Sequence, residues 1–174
     1  IQSGKIKMHF DRCNPKSVLD EILSISKVQS ATHKLVLEVQ DGLPEMMLDK
    51  EKMKEVMVNL ISNAIKYSPQ GGNVWVRMKT QEGNLRVEIQ DQGMGISPEN
   101  QKSLFQAFYR VDNSLTAEIP GTGLGLVIVK AIVEHHGGKI WLESEMGRGT
   151  SFFILIPVRR EIKRGDAGFD RVSS

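Results

Sequence analysis

The apolar positions of this chain change period several times, and each change marks an element. From Asp49 to Tyr67, Met53, Val56, Met57, Leu60, Ile61, Ala64 and Ile65 fall on one helical stripe, which Pro69 and Gly71-Gly72 close. Lys5 to Arg12 alternates, with Ile6, Met8 and Phe10 on one side, and predicts a strand. Asn14-Pro15 then reads as a cap and a first-turn proline, opening a helix that Val18, Leu19, Ile22, Leu23 and Ile25 carry to about Gln29. Leu35, Leu37 and Val39 predict a strand over His33 to Gln40, ended by Asp41-Gly42 and Pro44.

Two hairpins follow from alternation. Asn73 to Thr80 and Leu85 to Gln90 flank the turn-like Gln81-Glu82-Gly83-Asn84, and Lys139 to Glu143 and Thr150 to Val158 flank Met146-Gly147-Arg148-Gly149. In the last strand Phe152 and Ile154 take one face, Phe153 and Leu155 the other. A short helix is expected after Ser97-Pro98, and another from about Gly123 to His136, stopped by Gly137-Gly138. Helices and hairpins interleave without the buried parallel strands of a doubly wound sheet. The pattern therefore predicts an α+β fold, a two-layer α/β sandwich whose mixed, mainly antiparallel sheet is covered by about three helices. Phe105 to Gly121, with Asp112-Asn113-Ser114, Thr116 and Pro120, has no sustained period, and inside a compact domain that length predicts a lid.

Composition narrows the function classes. At 174 residues and 40% hydrophobic content the chain suits one domain, expected over residues 5–158 with a polar tail at 159–174. Runs such as Phe152 to Ile156 fall far short of the roughly 20 apolar residues that span a bilayer. The single cysteine, Cys13, excludes an internal disulfide, and no secretory pattern is seen, so a cytoplasmic setting is expected. A net charge of +2 gives no footprint for nucleic acid. Arg159, Arg160, Lys163 and Arg164 read as a solvated tail, with a partner-docking strip as the alternative.

Three stretches carry candidate chemistry. Glu55, Asn59, Asn63 and Lys66 follow one another at four, four and three residues, which places them on one polar strip of the long helix. Asparagine is a poor interior helix residue, and its carbonyl oxygen is a hard ligand; two of them with a lysine suit a Mg²⁺-triphosphate. An exposed polar face is the plain alternative. Asp91 follows Leu85, Val87 and Ile89 in phase, so its carboxylate points to the apolar side, where an adenine amino group would give it a donor. Gly93 and Gly95 would let backbone approach the base; an ordinary turn aspartate is the alternative. Gly121-Thr122-Gly123-Leu124-Gly125-Leu126 reads as a hinge running into a helix N-terminus that favours phosphate, or as a plain glycine-rich loop.

Together these segments resemble the N box, first glycine box, F box and second glycine box of sensor histidine kinases. The residues that carry the resemblance are 58–69 (VNLISNAIKYSP), Asp91 to Gly95, 104–112 (LFQAFYRVD) and Pro120 through Val129, in that order. The likeness extends over roughly residues 5 to 158, including His136 to Ile140 and Gly147 to Thr150. It implies the Bergerat ATP-binding fold with an ATP lid, and ATP and Mg²⁺ as cofactors. By the same match Asn63 and Asn59 would serve Mg²⁺, and Lys66 and Arg110 the phosphates, so that Asn59, Lys66 and Arg110 form the catalytic set. Tyr67, Ile96 and Tyr109 would lie beside the nucleotide, and Asp91, Gly93, Gly95 and Thr150 would recognise adenine. Gly121, Thr122, Gly123, Leu124, Gly125 and Leu126 would form the hinge and phosphate contacts. Phe105 and Phe108 would position the lid, or else pack in the core.

One departure separates subfamilies. Hydrolysing relatives carry a glutamate one turn before the magnesium asparagine, where this chain has Asn59, and an amide accepts no proton from water at neutral pH. Transfer to another acceptor is thus favoured over hydrolysis. The resemblance implies an acceptor histidine followed by an acidic residue, on a helical dimerisation domain. His9, His33, His135 and His136 all lack that context, which places the acceptor outside this chain. Ile1 to Gly4 would be the stub of the preceding helix, the isolated chain a monomer, and a response regulator a further partner. A nucleotide-sensing or response-regulator-docking module that transfers no phosphate is the competing function.

Overall fold

The computed structural model describes residues 6–25, 28–111 and 121–159. The expected stub at 1–4, most of the expected lid (112–120) and the tail from Arg160 lie outside the described residues.

Asp49 caps the longest helix, α2 (Lys50–Lys66), its Oδ1 accepting from Lys52 N at 2.9 Å. Its stripe of Met53, Val56, Met57, Leu60, Ile61 and Ala64 is buried, as the periodicity predicts. In the same way Asn14 caps α1 (Pro15–Ile22), which opens on its proline. This helix stops seven residues short of the expected Gln29. Ile25 N and Val28 N donate to carbonyls three residues back, and Ser24 Oγ takes the Glu21 carbonyl, so tight turns replace the last helical turns.

Two strands differ from the sequence reading. The first, β1 (Asp11–Cys13), is only the end of the predicted strand, because its partner β3 (Met46–Leu48) offers three residues and the antiparallel ladder ends with it. Just before it, His9 N donates to Asp49 Oδ2 at 2.6 Å rather than to a strand. Sequence pattern missed β3, which is too short to show alternation.

The main sheet takes β2 (His33–Val39), β4 (Gly72–Gln81), β5 (Asn84–Gln90), β6 (Lys139–Glu145) and β7 (Gly149–Pro157) in the order β2-β4-β5-β7-β6. Among the described strands only β2 and β4 run parallel. The mixed, mainly antiparallel sheet is therefore as expected, and both hairpins form. Their inner faces, Val74, Val76 and Met78 beside Leu85, Val87 and Ile89 and then Phe152, Ile154 and Ile156, are buried in one core with α1, α2 and α4 (Gly125–His135). Phe153 faces the other way, stacked on Trp141 at 5.3 Å under Arg86. The short α3 (Pro98–Gln101) begins where Ser97-Pro98 predicts.

His136 ties the helical layer together. Its Nε2 accepts from Asp49 N at 3.1 Å, so its proton sits on Nδ1, which donates to Ile132 O at 2.8 Å. Burial holds its pKa below the usual 6.5, outweighing the pull of the Ile132 carbonyl and Asp49. A base whose folded pKa is lowered contributes stability that is complete above its unfolded pKa and is lost as pH falls below it. We expect unfolding midpoints to drop more between pH 7.5 and 5.5 in the natural chain than in His136→Gln, whose amide keeps an acceptor for Asp49 N. Parallel thermal melts would reveal it, and equal slopes would count against it.

Candidate nucleotide-binding site

A cavity of about 310 Å³ opens between α2, the loop after β5, residues 104–111, the first turn of α4 and the start of β7. Asp91 lines it, only 5% exposed, directly after β5. Its Oδ1 is filled by Gly93 N at 2.8 Å and Thr150 N at 3.1 Å, while Oδ2 has no hydrogen-bond partner among the described residues. Burial pushes its pKa up to about 6, against the two backbone donors, the charge of His33 and the Ser68 hydroxyl. Ser68 Oγ is buried and has no hydrogen-bond partner among the described residues, so it acts on Asp91 by proximity. A buried carboxylate whose Oδ2 accepts from no described group is suited to a donor from a ligand.

The glycines of the Asp91 loop also allow close packing within the protein. A Cβ on Gly93 would strike the Tyr67 carbonyl, and one on Gly95 the Glu145 carbonyl, so both let backbone pack on backbone. Met94 N donates to Tyr67 O and Gly147 N to Met94 O, which locks the loop between the end of α2 and the β6–β7 turn. Gly95 and Ile96 line the cavity, but Gly93 lies behind it and acts through its bond to Asp91.

Along α2, Asn59, Asn63, Lys66 and Tyr67 all face the cavity. Asn59 Nδ2 donates to Glu55 O at 3.4 Å, which turns its Oδ1 towards α4, where a Cβ on Gly125 would lie 2.5 Å from it. The Asn63 carboxamide and the Lys66 ammonium have no partner among the described residues. Opposite them, α4 starts without a side-chain cap among the described residues and without an acidic residue in its first turn, leaving N–H groups and a positive dipole end. Gly121, Thr122, Gly123, Gly125 and Leu126 line this wall, whereas Leu124 occupies the cap position away from it.

Tyr109 and Arg110 complete the rim: Tyr109 Oη donates to Asn100 Oδ1 at 2.9 Å, and Arg110 Nη1 to Gly121 O at 3.1 Å. The two phenylalanines part company. Phe105 packs against the core, but Phe108 is 73% exposed with φ 63°, and its N–H donates to Gly123 O at 3.1 Å. Its backbone, not its ring, meets the glycine run. Met94, Leu104, Val111 and Phe152 also line the cavity. The first three lie within the segments that carry the resemblance but were given no role there, and Phe152 was placed only by its phase in β7.

The donor set decides what metal would fit. Among the described residues no group of three or more His, Cys, Asp or Glu side chains converges, so no protein cage for zinc or calcium exists. Two carboxamide oxygens on one helical strip beside a cationic wall suit Mg²⁺, which keeps waters and takes its remaining ligands from phosphate.

Comparison with known proteins meets this geometry. A profile described as histidine kinase-, DNA gyrase B-, and HSP90-like ATPase matches residues 48–160. The chain belongs to this ATPase family. It is 41% identical over 116 residues to the sensor histidine kinase WalK of Bacillus subtilis, a match covering 66% of this chain and 19% of WalK. The mycobacterial sensor histidine kinase MprB shares the fold with a TM-score of 0.74 and 29% identity, over 87% of this chain and 99% of the solved one. Full-length ShkA, solved in complex with AMPPNP, shares the fold with a TM-score of 0.76 at 24% identity, over 88% of this chain and 32% of ShkA. Within the family the chain is thus an ATP-binding catalytic domain of the sensor histidine kinase type. It spans less than half of the length of the curated relatives it was compared with, and about a fifth of WalK.

If Asn59 Oδ1 sits against α4 as described, Gly125→Ala should displace that carboxamide by an ångström or so while leaving the fold intact, because the obstructing atom ends a side chain. We expect thermal stability to change by less than about 1 kcal/mol and Mg²⁺-dependent nucleotide affinity to fall roughly tenfold. Thermal unfolding and titration of the same preparation would separate the two effects.

Proposed function

We propose that this domain binds Mg²⁺-ATP and passes the γ-phosphate to a histidine carried by a separate helical dimerisation domain. The convergence of all four segments on one cavity carries the reading. Asp91 Oδ2 accepts from the adenine amino group, with Thr150 and the Gly95 backbone completing base recognition, directly or through water. Tyr67, Ile96 and Tyr109 flank the nucleotide. Lys66, Arg110 and the N-terminus of α4 hold the phosphates, and Asn63 with Asn59 would hold Mg²⁺. When bound, the ion offsets charge on the phosphate oxygens and fixes their orientation.

Phosphoryl transfer needs little more than such positioning. The bond between the γ-phosphorus and the bridging oxygen breaks, a phosphorus–nitrogen bond to the imidazole forms, ADP leaves, and the imidazole loses its proton. No carboxylate stands at Asn59 to activate water, so ATP is kept for the histidine. The setting is cytoplasmic and a response regulator takes the phosphate onward; among the described residues no helix is long and apolar enough to cross a membrane.

The test mixes the chain with an acceptor dimerisation fragment and labelled ATP. Acid-labile phosphohistidine on the fragment, with little phosphate released by the chain alone, is expected. Nucleotide binding without transfer to any suitable acceptor would instead support a sensing or docking module.

A further inference from the structure

Ser144, on β6, belongs to none of the four segments. Its Oγ accepts from Ile96 N at 2.8 Å, donates to Gly149 O at 2.9 Å, and stands 2.8 Å from Thr150 Oγ1. A serine hydroxyl has one proton and two lone pairs. A carbonyl can only accept, so that proton is committed to Gly149, and the contact with Thr150 must be made by the threonine's own proton. Thr150, buried and lining the cavity, then has only lone pairs to offer it. Gln101 braces this arrangement, its Nε2 donating to Ile96 O at 2.7 Å and Ser144 O at 3.1 Å.

We propose that Ser144 is a positioning residue for base selection. By taking up the Thr150 proton it makes Thr150 an obligate acceptor in the cavity that Asp91 also lines, and the cavity then selects a purine whose edge presents an amino donor over one that presents a carbonyl. The inference rests on the nucleotide reading above and deepens it. Asp91 alone disfavours guanine, whose O6 would face a carboxylate. A freely rotating Thr150 hydroxyl would soften that rejection by donating to O6, directly or through a water. Ser144 removes this escape.

The test is calorimetric titration of non-hydrolysable ATP and GTP analogues into the full chain and its variants, each checked for folding by thermal unfolding. The natural chain should prefer the ATP analogue. Ser144→Ala should narrow that preference roughly fivefold, about the worth of one hydrogen bond, while Ser144→Thr, which keeps the hydroxyl, should restore it. In a Thr150→Val background, where no hydroxyl remains to orient, Ser144→Ala should change the preference less than about twofold. If Ser144→Ala does not fold, Ser144→Cys, with a similar volume but a weak hydrogen-bonding group, is read in the same way. Equal weakening of both analogues by Ser144→Ala would mark a merely structural role and overturn the inference, as would a natural chain without base preference or the same narrowing in the Thr150→Val background. Failure of the natural chain to bind the ATP analogue would overturn the nucleotide reading itself, and this inference with it.

Discussion

Asp91→Asn is expected to weaken adenine-nucleotide binding about 100-fold or more, while leaving the ligand-free domain at least as stable above pH 6. The asparagine Oδ1 keeps the bonds from Gly93 N and Thr150 N, but its amino group replaces the free carboxylate oxygen and meets the adenine amino group donor to donor. Stability moves the other way. The folded pKa of Asp91 is raised, to about 6 from 3.8, because burial disfavours the charge. A carboxyl raised in this way costs stability above its folded pKa, and the cost fades as pH falls from about 6 to 3.8, where the folded state holds the extra proton. The full cost corresponds to about 3 kcal/mol, and asparagine removes it at neutral pH. Unfolding at pH 8 and pH 4, paired with calorimetric titration, checks both halves. A variant that binds normally would dissociate Asp91 from base recognition. In the natural chain, protonation below pH 6 weakens the acceptor, so affinity should decline there in a way that Asp91→Asn does not share.

The same residue shows how far sequence reaches. Strand phase alone placed the Asp91 carboxylate on the buried side, because β5 alternates without a bulge from Leu85 to the end of the strand. The stripe of α2 was equally plain, and the polar strip beside it put Asn59, Asn63 and Lys66 on one cavity wall. Periodicity failed where elements are short or where side chains compete for the backbone, as in β3 and at the end of α1. It failed too for bonds between distant residues. Ser144 and Ile96 lie 48 positions apart, and neither carries a local signal that the other is its partner. Gly93 was expected to let backbone approach the base and Leu124 to join the phosphate contacts by resemblance; the structure places Gly93 behind the cavity, bonded to Asp91, and Leu124 at the cap of α4.

Asn63→Ala is expected to lower phosphotransfer about 100- to 1,000-fold and to remove the Mg²⁺ dependence of nucleotide affinity, with the fold intact. The Asn63 carboxamide has no partner among the described residues, so its removal leaves no orphaned donor or acceptor. Alanine also suits a helix interior better than asparagine by about 0.5 kcal/mol, so stability should hold or rise slightly. Loss of function without loss of stability would therefore report on the ligand and not on the fold. The effect should be large because the protein offers so few oxygens: no acidic cluster among the described residues stands ready to replace a missing amide. Asn59, one turn earlier with its Oδ1 against Gly125, is the one other amide of the strip, and a single amide oxygen cannot do the work of two. Titrations with and without Mg²⁺, alongside phosphohistidine formation on an acceptor fragment, give the comparison. If Mg²⁺ sharpens binding equally in Asn63→Ala, the ion is held by other groups and the phosphate end of the site must be reassigned. If it does so in neither protein, the strip on α2 is a phosphate-facing polar surface without a metal.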